Sequence, residues 1–401
     1  MKIAIYHNLP SGGAKRMLFE LASRLTNQHE FTVYSFDHAN HTFSDLRPLA
    51  KAHHIAHFKP TSLFRSPFGR FNQLIRLYDL NRLQNLERQI APKIEKEGFD
   101  MIWVHPCQSQ NSPSILRFIQ RTPTLFFCQE PLRILYEQMP PRPYDKKESR
   151  SRKLINRLDP LPGLFFNALK KNDFQNIQQA TRVTVNSQFM KKTVSGIYPI
   201  QPHVNYAGVN IDFFHPNNTP KEDFVFSVGS LTPLKGFDFV IRSIGLIPDK
   251  IRPAFKLAGN FENAPERNYL QELAKQHGVN LQLEVGITDK KLMELYNQAK
   301  ITVYSPHREP FGMVAIESMA CGTPVVGVKE GGLLETILDG KTGYLTERDE
   351  QAFANAIQDL LNDPQKREQY GKASREEAQT KWSWESSTKM LENHFQAVLM
   401  S

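Results

Sequence analysis

The stretch "EPFGMVAIESMACGTPVV", Glu309 to Val326, decides how this sequence is read. Alone it is a short amphipathic segment with an acid at each end of "EPFGMVAIE". Its surroundings say more. "ITVYSP" ahead of it has the β-branched run of a strand, and "PVV" after a Gly-Thr turn has the same. The order is therefore strand, loop, helix, strand, the repeating unit of a parallel sheet, with the helix expected to begin near Phe311. In such sheets ligands gather where strand C-termini meet helix N-termini. Gly312 lets a ligand approach the amides of Phe311, Gly312 and Met313. Across eight helical positions the two acids turn through about 800°, which leaves them within about 80° of one face. Two carboxylates repel phosphate and suit hydroxyls, so Glu309 fits a sugar and Glu317 the two hydroxyls of a ribose.

The same alternation extends outward. "KIAIYHN", "FTVYSF", "MIWVHP", "TLFFCQ" and "RVTVNS" read as strands of a first half, and "AKRMLFELASRL" as a helix with Met17, Leu18, Leu21 and Leu25 on one side. The pattern restarts with "DFVFSVGS", "AFKLAGN", "LQLEVG", "ITVYSP", "PVVGVKE" and "GYLT". Between the halves, "VNYAGVNIDFFHPNNTPKED" carries Gly, Asn and Pro without helical period. The expected organisation is an α/β protein of two doubly wound Rossmann-like domains facing across a cleft: 1–205, a linker at 206–222, 223–383, and a C-terminal helix at 384–401 packing back on the first domain. In "SVGSLTPLKGFDFVIRSI" a helix is expected from Phe237 or Asp238, and Lys235 just ahead of its amides suits a diphosphate.

At 401 residues, with 40% hydrophobic and 23% charged residues, the chain is long enough for two cores. A formal charge of +9 implies an anionic partner without choosing among phosphate ligand, membrane surface and nucleic acid. Cys107, Cys128 and Cys321 are far apart and lack metal-ligand spacing, so they read as free thiols in a reducing compartment. "MKIAIYHNLP" is too short in apolar residues for a signal peptide, and no run reaches a membrane span of about 20 residues. The expectation is a cytoplasmic protein with at most peripheral contact at the inner face of the membrane.

"EPFGMVAIESMACGTPVVGVKEGGLLETILDGKTGYL" resembles the donor-site signature of retaining glycosyltransferases of the GT-B fold, family 4, with its E-x7-E pair followed by AxGxPVV, GG and E. "NSQFMKK", "VGSLTPLKG" and "GITDKKLMELYNQAKITVYSP" are similar to that family at the expected positions, and "SGGAKRM" more loosely so. The resemblance implies a nucleotide-sugar donor on the C-terminal domain and an acceptor mainly on the N-terminal one. It places Glu309 on the donor sugar, Glu317 on the ribose, Lys235 on the diphosphate and the amides of Phe311, Gly312 and Met313 on sugar and phosphates. Gly12 and Gly13 fall in the glycine-rich loop near diphosphate and acceptor. Two positions depart from the family: Ser230 stands where an arginine is usual, and Gln129 where a histidine is frequent. Arg133 and Arg308 are the nearest candidates for the missing guanidinium. The resemblance implies transfer with retention, a hexosyl donor on UDP before GDP or ADP, and no cofactor. No metal is expected, because Lys235 and helix dipoles serve the diphosphate and no Asp-x-Asp motif ends a strand.

Other features are weighed against these. His53, His54 and His57 in "KAHHIAH" cluster, but without evident acidic or cysteine partners they read as surface or strand-edge residues. His105 and His7, at strand ends, suit an acceptor site, with Glu130 and Arg133 from "QEPLR" beside them. In "SPFGRFNQLIRLYDLNRLQNLERQI", Ser66 and Pro67 start a helix with Phe68, Phe71, Ile75 and Tyr78 on one face and Arg70, Arg76 and Arg88 off it. That helix either meets anionic lipid or packs on its own domain. "KKESRSRKLINRLDPLPGLFFNALKK" adds basic charge and an exposed "LFF". Together they favour a lipid-linked or anionic acceptor over a small neutral sugar. Nucleic-acid binding lacks a recognisable module, a phosphorylase lacks its pyridoxal-lysine region, and an epimerase is a further enzymatic reading. A catalytically inactive sugar-nucleotide-binding regulatory subunit is the alternative that Ser230 and Gln129 raise.

Overall fold

The computed structural model describes residues 1–65, 68–145, 158–217, 219–259 and 263–400. Two all-parallel sheets organise the chain. The first runs β3-β2-β1-β4-β5-β6-β7, made of β1 Lys2–Asn8, β2 Glu30–Phe36, β3 Ala52–Ala56, β4 Met101–Cys107, β5 Thr124–Phe127, β6 Arg182–Val185 and β7 His203–Val204. The second runs β10-β9-β8-β11-β12-β13, made of β8 Phe224–Val228, β9 Ala254–Gly259, β10 Leu281–Val285, β11 Ile301–Tyr304, β12 Val325–Val328 and β13 Gly343–Thr346. Central strands are apolar almost throughout because helices cover both faces of a parallel sheet; every residue of β4 is buried. In each sheet the order reverses between two neighbours, β1 and β4 in the first and β8 and β11 in the second.

The chain divides into two compact units, Met1–Gln138 with Lys147–Asn205 and Ser387–Ser401, and Met139–Lys146 with Tyr206–Ser386. In the first, the helix Gly13–Leu25 buries Met17, Leu18, Leu21 and Leu25 at the expected spacing. The helix Asn72–Lys96 is anchored by Glu87, a buried carboxylate that accepts from Tyr6 Oη at 2.6 Å, Gln110 Nε2 at 2.7 Å and the Ser114 amide at 3.0 Å. Burial pushes Glu87 up to about 7, against the pull of those three donors. From the helix Trp384–Leu399, Glu392 meets His29 at 2.7 Å and Phe395 lies 5.5 Å from Trp103, ring to ring.

Several local expectations need correction. The helix after Glu309 spans Met313–Ala320, not from near Phe311, because Gly312 takes φ 107°, outside the helical region. Glu309 lies in the loop, as expected, and the rotation counted over eight helical positions does not apply. β7 has no counterpart among the expected strands, whereas His53 and His54 belong to β3, the edge of the first sheet, in the strand-edge position expected of them. The acidic partner thought missing from the histidine cluster is Asp37, 2.5 Å from His57 Nδ1. His53 meets Ser35 at 2.7 Å and His54 stacks on Tyr34, so the three rings point to different partners. Ser66 and Pro67 lie outside the described residues; a short 3-10 turn, Phe68–Phe71, precedes the helix at Asn72. Residues 146–157 of the second basic stretch are also outside them. "LFF" sits inside a helix, Pro160–Ile177, capped by Asp159; Leu164 is exposed and Phe165 and Phe166 are half-buried.

Candidate functional site

At the reversal point of the second sheet, β8 and β11 each end in a loop, and the two loops meet. β8 leads through a 3-10 turn, Pro233–Lys235, into the helix Phe237–Gly245. β11 leads through Ser305–Gly312 into the helix Met313–Ala320. Lys235 Nζ lies 3.0 Å from Glu309 Oε2 and 3.5 Å from Tyr304 Oη, with a quarter of the lysine side chain exposed. The loops are locked together. The His307 amide donates to the Leu234 carbonyl at 2.8 Å, and Ser305 Oγ donates to the Gly236 carbonyl at 2.8 Å. Gly236 takes φ 65°, and a Cβ there would collide with the Ser305 carbonyl oxygen.

The Glu309 loop is held from behind. Gly332 donates its amide to the Glu309 carbonyl at 2.8 Å. Arg348 donates to the carbonyls of Ser305 at 3.0 Å and Pro306 at 2.9 Å while pairing with Glu330 at 2.7 Å. Burial raises Glu330 and the Arg348 hydrogen bonds outweigh it, so its carboxyl lies below its ordinary range. At the helix start, a Cβ on Gly312 would lie 2.7 Å from Leu333 Cδ2. The first intrahelical bond runs from the Ala315 amide to Gly312 O, so the amides of Gly312 and Met313 precede it at the positive end of the helix dipole.

Glu317 is 6% exposed and accepts from Tyr296 Oη at 3.0 Å. Burial first and then the Glu317 carboxylate push the Tyr296 phenol well above its usual range, so it remains a donor. Ser230 is half-buried, its carbonyl accepting from the Thr232 amide at 2.8 Å. Phe311 is buried beside Trp382 and Tyr206.

In the first unit, the expected residues lie at the ends of β1, β4 and β5. Gly12, at φ 143°, caps the helix that begins with the exposed Gly13. His105 is fully buried, parallel to the Phe127 ring, and neither ring nitrogen has a hydrogen-bond partner among the described residues. Burial first, then Lys15, pushes it down to about 3. Gln129 is half-buried and within 3.4 Å of Asn186 Nδ2. Glu130 pairs with Arg133 at 2.7 Å. Lys15, which the sequence reading passed over, is buried with its ammonium 3.2 Å from His7 Nε2, and burial pulls it down to about 8. Arg348, Tyr296 and the clasp by Gly332 are likewise unmarked by any local motif, the "GG" pair apart. Among the described residues no group of three or more His, Cys, Asp or Glu is arranged to hold a metal ion. The three cysteines are buried free thiols.

Two Rossmann-like units with all-parallel sheets, each reversing its order once, define the GT-B fold. Residues 209–377, within the second unit, match the family described as glycosyl transferases group 1. D-inositol 3-phosphate glycosyltransferases are among the curated relatives: that of Mycobacterium sp. (strain KMS) is 30% identical over 205 residues, 47% of this chain and 46% of its own length. That of Kribbella flavida is 30% identical over 236 residues, 53% of this chain and 55% of its own. The chain thus spans about half the length of the curated relatives it matches. Among solved structures, sucrose-phosphate synthase from Thermosynechococcus elongatus superposes with TM-score 0.75 at 19% identity, covering 100% of this chain and 99% of that one. Anabaena HepE, solved in complex with UDP and glucose, gives TM-score 0.69 at 18% identity over 99% of this chain and 100% of its own. These likenesses show the fold.

Proposed function

We propose that this chain is a family 4 retaining glycosyltransferase that moves a hexosyl group from a nucleotide-diphosphate sugar, UDP before GDP or ADP, to a hydroxyl of a lipid-linked, glycan or small-molecule acceptor. The observation that carries the reading is the Lys235–Glu309 pair at the reversal point of the second sheet, a cation for diphosphate beside an acid for sugar hydroxyls. The donor then lies on the second unit, with Glu317 toward the ribose and the amides of Phe311, Gly312 and Met313 toward sugar and phosphate. The acceptor is assigned to the first unit, around His105, Glu130 and Arg133, with Gln129 as the residue that meets the reacting sugar and Gly12 and Gly13 as a glycine-rich loop for the donor. HepE, whose structure holds UDP, lends support to a uridine nucleotide.

In the proposed reaction the acceptor oxygen bonds to the anomeric carbon on the face from which the diphosphate oxygen departs. The hydroxyl proton passes to that departing oxygen. Negative charge grows on the leaving group, and Lys235 with the helix amides stabilises it, with no metal. No protein nucleophile is needed. The experiment is hydrolysis of UDP-glucose, GDP-mannose and ADP-glucose without acceptor, followed by the anomeric configuration of the product. Release of one nucleotide, lost by about 10²-fold or more in Lys235→Ala, supports the reading. Binding of a nucleotide with no turnover of any donor favours the regulatory-subunit reading, which rests on Ser230 in place of the family's arginine.

The first unit also carries a surface suited to anionic lipid at the inner membrane face. Phe64, Phe68, Phe71, Leu74 and Tyr78 are exposed, and Arg70 reaches Asp159 at 3.5 Å, which brings the exposed Leu158 and Leu164 to the same region. Such a surface fits a cytoplasmic enzyme acting on a lipid-linked acceptor.

A further inference from the structure

Resting on the donor-site reading above, we infer that Arg142 is the positioning residue that sets Lys235 for the diphosphate. Arg142 lies in "MPPRPYD", a stretch that leaves the first unit and packs within the second. Three prolines around it stiffen the backbone, and the residue before Pro143 is biased toward extended conformation. A local turn adds to this. The Arg142 amide donates to Asp145 Oδ2 at 2.7 Å, and the Asp145 amide donates to the Arg142 carbonyl at 3.0 Å.

The Arg142 side chain is 4% exposed and the guanidinium uses its whole fork. Nε and Nη2 meet the two oxygens of Glu266 at 3.0 Å each, while Nη1 and Nη2 meet those of Asp238 at 3.3 and 3.1 Å. Nη2 also donates to the Pro233 carbonyl at 3.3 Å. The arginine therefore ties down both ends of Pro233–Asp238, the turn that carries Lys235. Glu266, itself fully buried, also accepts from Tyr144 Oη, so the same stretch supplies the anchor twice. The turn is held as well by Ser305 and His307. The backbone that carries Lys235 is thereby tied by two sets of contacts, and fixed geometry is what a donor of transition-state stabilisation requires.

An ion cluster that only stabilises the second unit would weaken ligand binding, if at all, whether or not Lys235 is present. A positioning residue acts through Lys235 alone. The test is a double-mutant cycle on the full chain, with UDP binding read by titration calorimetry and UDP-glucose hydrolysis resolved into kcat and KM. Arg142→Lys keeps a cation for Glu266 but lacks the fork that reaches Asp238 and Pro233 together. It is expected to raise the UDP Kd about fivefold or more and to lower kcat, yet to change Kd less than about twofold in a Lys235→Ala background. Equal factors in both backgrounds, or no change in either, overturn the inference. Should Arg142→Lys fail to melt cooperatively, Tyr144→Phe, which removes one hydrogen bond to Glu266, runs the same cycle with a smaller shift of the same pattern. UDP bound equally by wild type and Lys235→Ala, or by neither, overturns the donor-site reading and this inference with it; loss on Lys235→Ala with none on the Arg142 or Tyr144 variants overturns the inference only.

Discussion

Lys235 has Glu309 as its counter-ion, at 3.0 Å. On the proposed function, a diphosphate competes with that carboxylate for the ammonium, and Glu309 acts on the donor sugar. Glu309→Gln separates these roles: UDP is expected to bind as tightly or tighter by calorimetry, while donor turnover falls about 10-fold or more. Weaker UDP binding together with unchanged turnover would contradict the assignment. Gly312 gives a second test at this scale. Its φ of 107° and the Leu333 methyl where a Cβ would stand make Gly312→Ala cost about 1–3 kcal/mol in urea unfolding. The roles of Glu309, Glu317 and Lys235 were expected from residue type and spacing. Their surroundings were not: Tyr296 under Glu317 comes from another helix 21 positions away, and Arg348 from 43 positions beyond Ser305. Nothing local in a sequence announces such partners.

Among the elements, apolar strands in parallel sheets announce themselves, because burial on both faces leaves few polar residues to blur the run. β3, "AHHIA", is legible only as a strand-edge placement of its histidines, because an edge strand half open to solvent tolerates them, and β7 is not legible because two residues carry no period. The helix after Glu309 was placed two residues early because a glycine at positive φ looks, by composition, like any other small residue. The helix Asn72–Lys96 contributes a pH effect through Glu87. Its folded-state pKa, about 7, lies above the ordinary 4.5, so the native state holds a proton that the unfolded chain releases. Stability from this group is present in full below about 4.5 and is lost as pH rises to about 7. Glu87→Gln is expected to remove that component, so the difference in unfolding free energy between variant and wild type shifts in favour of the variant from pH 4.5 to 7. A difference independent of pH would show that Glu87 ionises normally.

For the whole molecule, the formal charge of +9 said only that something anionic is bound. On the proposed function, that charge serves a diphosphate at Lys235 and the apolar, arginine-flanked surface of the first unit. No helix among the described residues is long and apolar enough to cross a membrane. On the surface reading, the protein sediments with phosphatidylglycerol vesicles and not with phosphatidylcholine ones, and Phe68→Ser with Tyr78→Ser abolishes it. Equal sedimentation of that double variant would place the contact elsewhere. The N-terminal half is the less legible one in function, since the acceptor site proposed there involves backbone amides and a buried histidine that no motif marks.

The most direct measurement is thermal unfolding of wild type and Lys235→Ala with UDP, GDP and ADP in turn, because a ligand bound to the folded state stabilises it by about 2.7 kcal/mol at a hundredfold excess over Kd. The account predicts that one nucleotide, UDP first, raises the wild-type melting temperature by several degrees and leaves Lys235→Ala nearly unmoved. No shift with any of the three at millimolar concentration, or equal shifts in both proteins, would contradict it.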